Sequence, residues 1–239
     1  KSDRTNILIG ESATFDVDAL YYSGGFVANA TANWFIELNT FAFTPAKGYE
    51  GYSFSDWERD LYFYENERPS RSVINGETIN MDAEGHVEIL QEFLPADIRV
   101  SQRATLGINV TDVTGNVVSG STGITVHQSE YYAGIRSDGY VGKQGKPQSF
   151  SLVVLDWDSQ PVAGQKVTVD FVERQWFSVQ EEDKQGQLRW VTTVKEIPAG
   201  KQEATTGADG TAQVEFTPPK GGVFKALVTV RDSKGNTHQ

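Results

Sequence analysis

The amino-acid sequence predicts an all-β protein made of two tandem antiparallel β-sandwich domains. Three observations lead to this prediction. Short runs alternate between polar and apolar residues, as in strands with one buried face. Glycine, proline, asparagine and aspartate punctuate these runs about every 8–15 residues. The pattern of the first half also recurs in the second half. Helical periodicity is nearly absent, so sheets must supply the hydrophobic core.

The repeat begins with a strand and the hairpin that follows it. Residues 10–17 alternate between polar and apolar side chains, and residues 145–152 do the same 135 positions later. At the same offset, the apolar pair at 27–28 leads into an alternating run that matches the run after residues 162–163. Because both elements share one offset, a whole strand–turn–strand unit is repeated in register.

Two later landmarks recur at shorter offsets. The turn at 83–85 and the strand after it recur at 208–210, an offset of 125. Residues 110–116 recur at 230–236, an offset of 120. An unchanged order with shrinking spacing indicates two copies of one fold, with the insertions collected in surface loops of the first copy.

We therefore expect a first domain over residues 1–128 and a second over residues 129–239. The extra residues of the first copy are expected in an inserted aromatic loop around residues 41–72, which has turn formers and prolines but no clean periodicity. The first copy continues into an alternating run at 121–127 that has no full counterpart, so the second domain is expected to be truncated before its last strand. Since the sequence begins without a methionine, we expect it to be part of a longer protein.

A long hairpin is predicted in the second domain. Its strands are residues 167–176 and 188–197, and a charged segment with one glycine lies between them. A turn centred near Asp183 would pair Trp176 with Trp190. Such a cross-strand aromatic pair contributes about 0.5–1.5 kcal/mol beyond the burial of its area.

Composition and charge exclude several classes of function. Twenty-one basic and thirty-two acidic residues leave a formal charge of −11, which repels a phosphate backbone, so no nucleic-acid partner is expected. No apolar run approaches the roughly 18 residues of a membrane span, so no membrane contact is expected from this chain. Because the chain has no cysteine, it has no disulfide, no thiolate nucleophile and no zinc site of the usual kind.

The chain is not expected to be an enzyme. It has no phosphate-binding loop, dinucleotide fingerprint, zinc-protease helix or nucleophile elbow, and we predict no catalytic residue, no cofactor and no metal site. Acidic clusters occur at residues 56–60, 156–158 and 181–183. They are typical of solvated strand faces, with calcium binding and acid–base catalysis as the alternatives.

One aromatic segment, from Tyr49 to Tyr64, is a candidate contact surface. Its candidate contact residues are Tyr52, Phe54, Trp57 and Tyr62. The rings could form a platform that stacks on sugars. A loop of this length also needs a small core of its own, and aromatic rings commonly fill such a core or contact a neighbouring domain. We expect packing rather than ligand binding.

Three stretches of the second half resemble a known family. They are Tyr140–Gly145 (Tyr-Val-Gly-Lys-Gln-Gly), Asp156–Gly164 (Asp-Trp-Asp-Ser-Gln-Pro-Val-Ala-Gly) and Thr217–Lys225 (Thr-Pro-Pro-Lys-Gly-Gly-Val-Phe-Lys). All three are similar to segments of bacterial alpha-2-macroglobulins. The resemblance implies tandem macroglobulin-type domains, which are immunoglobulin-like sandwiches, from the middle of the chain.

The resemblance also implies a part in protease trapping. Members of that family respond to cleavage of a bait segment, and a Cys-Gln thioester captures the attacking protease. This chain has no cysteine, so neither a thioester nor a bait residue can be assigned to it. It is expected to be a non-catalytic structural scaffold of a broad-spectrum protease inhibitor. The expected location is extracytoplasmic: periplasmic, cell-surface or secreted.

The expected partners are the neighbouring domains of the full-length chain and, through the full-length protein, its target proteases. The alternative is a pair of immunoglobulin-like adhesion or carbohydrate-binding modules. These would belong to a large cell-surface protein or a secreted glycosidase. In that case the aromatic segment would form the binding face.

Overall fold

The computed structural model describes residues 1–56, 72–94, 100–182 and 186–239. These residues form fifteen strands and no helix, so none of them forms a helix that could cross a membrane. The strands are β1 Asn6–Leu8, β2 Ser12–Asp18, β3 Thr31–Thr40, β4 Ser72–Asn75, β5 Ile79–Asn80, β6 His86–Glu92, β7 Gln102–Thr111, β8 Val117–His127, β9 Tyr131–Ser137, β10 Gln148–Asp156, β11 Lys166–Glu182, β12 Leu188–Thr205, β13 Thr211–Phe216, β14 Val223–Arg231 and β15 Thr237–His238. The predicted all-β class is confirmed, and the described strand pairs are antiparallel except for β1 with β8.

Contacts between residues divide the chain into two compact units. Of the described residues, the first unit contains 1–42, 72–94 and 100–129, and the second contains 43–56, 130–182 and 186–239. That each half folds as a separate domain, with the bounds given above, remains a prediction.

The first unit contains a larger sheet and a smaller one. The larger sheet has the order β1-β8-β7-β3-β4, with β5 also paired to β3, and β2 pairs with β6 in the smaller sheet. Alternate residues of β2 and β3 face the interior, as the period of two requires. Phe15 of β2, Ile36 of β3 and Leu106 of β7 are all buried. This is the half-buried pattern that the alternating runs predict.

The second unit has sheets of the orders β13-β10-β9 and β12-β11-β14-β15. An aromatic cluster lies in its core. Phe171 stacks on Phe216 with ring centroids 4.4 Å apart, and Phe150 and Phe224 each add a tilted contact at 5.3 Å. Offset stacked and tilted rings are the favoured arrangements of aromatic pairs.

The sequence repeat corresponds to a repeat of topology. Displaced by the predicted offsets, β2, β3, β6 and β7 fall on β10, β11, β13 and β14. In the first unit β2 pairs with β6 and β3 pairs with β7. In the second unit β10 pairs with β13 and β11 pairs with β14. The same pairings therefore follow from the same pattern.

The predicted pairing of the two tryptophans in the long hairpin is wrong. Trp176 of β11 lies opposite Val194 of β12, and Trp190 lies opposite Gln180. Both rings remain on one face of the hairpin because paired residues share a face, but they stand four residues apart along β11. The pairs from Val172 with Pro198 to Glu182 with Leu188 keep one register, which lies two residues farther along the chain than a hairpin centred on Asp183. No residue between the two strands revealed this register.

The inserted aromatic segment does not pack where the sequence placed it. Residues 43–56 follow β3 in the chain and were assigned to the first domain, yet their contacts place them in the second unit. The reason is physical. Sequence proximity favours local packing, but the apolar rings of this segment pack against β9, as described below.

Candidate contact surface

The candidate contact residues Tyr52 and Phe54 belong to an extended segment, residues 43–56, that packs along β9. Phe43 stacks on Tyr132 of β9 with ring centroids 4.0 Å apart and ring planes within 4° of parallel. Phe54 meets Phe43 edge-on at 5.4 Å. Tyr132 is fully buried, so these rings form a small core of their own within the second unit.

Phe54 occupies space that only a glycine leaves open. A Cβ on Gly134 of β9 would lie 2.6 Å from the Phe54 ring, closer than two non-bonded carbon atoms can approach. Glycine inside a strand usually marks a close approach by another part of the chain. The ring covers this backbone and is only 5% exposed.

The backbone of the segment also extends a sheet. The Ser53 N–H donates to the Ile135 carbonyl at 2.9 Å, and the Ile135 N–H donates to the Ser53 carbonyl at 3.0 Å. Ile135 lies in β9, which is the end strand of the sheet β13-β10-β9. Covering an edge strand satisfies backbone groups that would otherwise attract another strand.

Two polar contacts hold the ends of the segment. The Lys225 Nζ of β14 donates to both carboxylate oxygens of Asp56, at 2.7 and 2.8 Å. The side chains are 21% and 7% exposed, so water screens this ion pair weakly. At the other end, the Ala46 N–H donates to the Ser159 Oγ at 3.0 Å.

The four candidate residues differ in their surroundings. Phe54 is buried, and Tyr52 is half-buried beneath the Arg136 guanidinium, which lies 4.7 Å from the ring centroid. Trp57 and Tyr62 lie outside the described residues. Tyr52 and Phe54 thus contact their own unit, as the packing alternative expects, and a contact surface for a ligand remains a prediction.

One aspartate turn recurs four times in the described chain. Oδ1 of each aspartate accepts the backbone N–H groups two and four residues ahead, at 2.8 to 3.0 Å. The aspartates are Asp82, Asp112, Asp156 and Asp232. Three of the four turns place a glycine with positive φ three residues after the aspartate, and Ser159 takes that place in the remaining turn. These carboxylates close hairpins and are therefore structural groups.

Hydrogen bonding also sets the acidity of two of these carboxyl groups. The Thr114 hydroxyl and the Asn116 N–H hold the pKa of Asp112 far below its usual range, against the opposing effect of desolvation. Burial raises the pKa of Asp232, but hydrogen bonds from the Glu130 N–H and from Asn236 outweigh it and leave the pKa lowered. Both groups are ionised at neutral pH, with their oxygens engaged by the turns.

Two histidines that are isolated in the sequence are buried in the fold. A ring nitrogen of His127 lies 3.0 Å from the Asn6 Oδ1, and Phe41 packs edge-on against the ring. Burial lowers the pKa of His127 to about 4. His238 accepts the Ala133 N–H at 3.2 Å. Each ring completes a structural contact at the end of a strand.

The acidic clusters do not form a metal site in the part of the chain that the structure describes. No three histidine, aspartate or glutamate side chains among these residues are grouped so that they could hold a metal ion. Asp56 binds Lys225, and Asp156 closes a turn. Glu58, Asp60 and Asp183, which belong to the predicted clusters, lie outside the described residues.

Comparison with known proteins places the second half in a domain family. Residues 134–239 match the sequence model of bacterial macroglobulin domain 6. The three stretches from which the resemblance was predicted lie within this range, so the predicted macroglobulin-like family is confirmed for it.

Solved alpha-2-macroglobulin structures share the fold of the whole chain. The native conformation of the Escherichia coli protein superposes with a TM-score of 0.67 at 14% identity, over 99% of this chain and 15% of the other. The Salmonella protein reacted with methylamine gives 0.65 at 14% identity, over 100% and 16%. The trypsin-activated E. coli protein gives 0.63 at 16% identity, over 100% and 16%.

The chain therefore spans about one sixth of the length of these macroglobulins. No curated protein matches its sequence. At such low identity the structural likeness establishes the fold alone. The matched macroglobulin domain includes β10 to β15 and most of β9.

Several residues that carry the geometry were missed in the sequence. Phe43, Gly134 and Lys225 seat the aromatic segment, and none of them stood out from the pattern. A glycine within the strand Tyr131–Ser137 was the one available signal, because glycine weakens a strand unless something approaches it closely. No pattern indicated which ring would approach.

Proposed function

We propose that this chain is a non-catalytic scaffold segment of a bacterial alpha-2-macroglobulin-like protein that traps proteases. Its partners are the neighbouring domains of the full-length chain and, through that protein, the target proteases. The proposed location is extracytoplasmic. The observation that carries the proposal is the match of residues 134–239 to bacterial macroglobulin domain 6.

The geometry supports a rigid role. The described aspartates of the recurrent turns are engaged in closing hairpins, and the segment 43–56 is held by stacked rings, a backbone pair and a weakly screened ion pair. Groups that are already held in place lose little further conformational entropy when a neighbouring domain docks. This suits a segment whose role is to position neighbouring domains.

A first experiment uses the chain alone. Trypsin or elastase is incubated with an excess of the chain, and hydrolysis of a large substrate such as azocasein is compared with hydrolysis of a small chromogenic peptide. A scaffold segment leaves both rates unchanged. Slower hydrolysis of azocasein with an unchanged small-substrate rate would show trapping by the chain itself and overturn the scaffold role.

A second experiment uses the full-length protein. Phe54→Ala removes the ring that seats residues 43–56, and Leu188→Ala is the matched control because Leu188 is exposed on the same unit. Capture of trypsin, followed as a covalent or size shift on a gel, should fall in the Phe54 variant and persist in the control. Equal capture by both variants would contradict a positioning role for this segment.

A further inference from the structure

An open apolar cleft lies at one end of the first unit. Its volume is about 470 Å³, in the range of sites that hold a large side chain or a small molecule. One wall is the hairpin that follows β2, with Leu20, Tyr21 and Tyr22. The other wall is formed by Ile108 of β7 and by the first residues of β8.

One strand that lines the cleft carries a glycine there. Gly120 of β8 lies opposite Ile108 on the face that includes the buried Val110. A Cβ on Gly120 would meet only the Ile108 methyl group, at 3.9 Å, which is an ordinary van der Waals distance. A larger side chain at this position would therefore project into open space.

Exposed apolar side chains surround the mouth of the cleft. Leu20 is 61% exposed and Val118 is 68% exposed, Tyr22 is fully exposed, and Phe26 lies opposite Leu20 across the hairpin with 59% of its surface exposed. Leu20, Tyr22 and Val118 all line the cleft, so exposed apolar side chains lie together there, as they do at interaction sites. Backbone bonds close the hairpin, from the Tyr21 N–H to the Gly25 carbonyl and from the Val27 N–H to the Ala19 carbonyl, each at 3.0 Å.

The charge around the cleft is negative. Asp18 and Asp112 are among the described residues that line it, and that lining includes no lysine or arginine. The side chain of Asp18 is 60% exposed, and its Oδ1 lies 2.9 Å from the Nδ1 of His86. A second cationic group would therefore share this carboxylate with His86. The turn that carries Asp82 and Glu84 packs beside this hairpin, since the Ala19 N–H donates to the Gly85 carbonyl at 2.8 Å.

We infer that this cleft binds a segment of a partner protein that presents a large apolar side chain next to a lysine or arginine. The apolar side chain fills the space above Gly120 and Ile108. The cationic group lies near Asp18, where opposite charge favours encounter and fixes orientation. This inference is independent of the protease-trap proposal, because it concerns the first unit alone.

The test is isothermal titration calorimetry, in which each of two short peptides is titrated into a solution of the whole chain. The first is acetyl-Lys-Leu-Phe-Lys-amide, and the second carries glutamate in place of both lysines. We expect the lysine peptide to bind at least about tenfold more tightly than the glutamate peptide. The affinity of the lysine peptide should fall in about 0.5 M NaCl. Equal binding of the two peptides, or none of the lysine peptide, would overturn the inference.

Three variants locate the site. Gly120→Leu fills the cleft and should abolish binding, whereas Ser121→Leu places the same side chain on the opposite face of β8 and should leave it intact. Asp18→Asn should lower the affinity for the lysine peptide severalfold, because it removes the negative charge without blocking the cleft. Unchanged binding by both Gly120→Leu and Asp18→Asn would place the peptide elsewhere. Self-association that Gly120→Leu removes would show that the occupant is a second copy, and would also overturn the inference.

Discussion

The Phe54 ring lies against the backbone of Gly134, at the place that the side chain of any other residue would occupy. Two positions eighty residues apart in the sequence thus depend on each other. Phe54 is buried because Gly134 has no Cβ, and Gly134 is tolerated in β9 because Phe54 covers it. This contact seats residues 43–56, which make up most of the described part of the β3–β4 connection.

Phe54→Ala should lower the free energy of unfolding by about 3–5 kcal/mol, because it removes a buried ring and leaves a cavity. Gly134→Ala should cost about 1–3 kcal/mol, because the added methyl group displaces the ring. Urea denaturation of both single variants and of the double variant gives their coupling. In the Phe54→Ala background the Gly134→Ala change should cost at least about 1 kcal/mol less. Additive effects would contradict direct contact between the two residues.

Asp56→Asn should destabilise the chain by about 2–4 kcal/mol, since it leaves the Lys225 ammonium in a weakly hydrated site. The loss should change little between low and high salt. Lys166→Met is the matched control, because its ion pair with Glu203 has side chains 69% and 51% exposed. That change should cost less than about 1 kcal/mol. Equal costs for the two variants would show that the Asp56 pair is solvated.

The buried His127 should lower the free energy of unfolding in mild acid. Burial lowers the pKa of His127 to about 4 in the folded chain, whereas an unfolded imidazole takes up a proton near pH 6.5. Below that pH the unfolded state binds more protons, so stability falls as the pH drops from 6.5 to 4, by about 3 kcal/mol at most. Urea denaturation of the wild type and of His127→Gln across this range measures the effect. A slope that His127→Gln leaves unchanged would assign the loss to other groups.

His86 should act in the opposite direction. The hydrogen bond that the protonated His86 ring donates to Asp18 raises the pKa of His86, so its contribution to stability is present below pH 6.5 and is lost as the pH rises through the raised pKa. NMR titration of the imidazole should show a midpoint above 6.5 that moves down in Asp18→Asn. A midpoint that does not move would mean that Asp18 does not hold this ring in solution.

The aspartate turns should open independently. Asp112→Ala removes the acceptor of the Thr114 and Asn116 N–H groups, and Asp232→Ala does the same for the Lys234 and Asn236 N–H groups. Hydrogen exchange at the affected amides should accelerate at least about tenfold in each variant. The other turn, probed in the same sample, is the control and should keep its exchange rate.

Much of the fold could be predicted from local patterns. The alternating runs around Phe15 and Phe150 identified strands, and the offset between them identified repeated topology, because burial of one sheet face imposes a period of two on any sequence. Turns that contain an aspartate and a glycine could be predicted equally well. The partner of Trp176 could not be predicted in this way, because a register that differs by an even number of residues keeps every side chain on the same face and leaves the hydrophobic pattern unchanged.

The amino-acid sequence by itself determined the β class, the duplicated strand order, the absence of cysteine chemistry and the macroglobulin resemblance of the second half. Each of these depends on residue type and spacing along the chain. Only the tertiary structure decided that residues 43–56 pack beside β9 and that Gly120 lines a cleft at one end of the first unit. Such features arise where distant segments meet. Their energies depend on the shape of the space between side chains, and no local pattern records that shape.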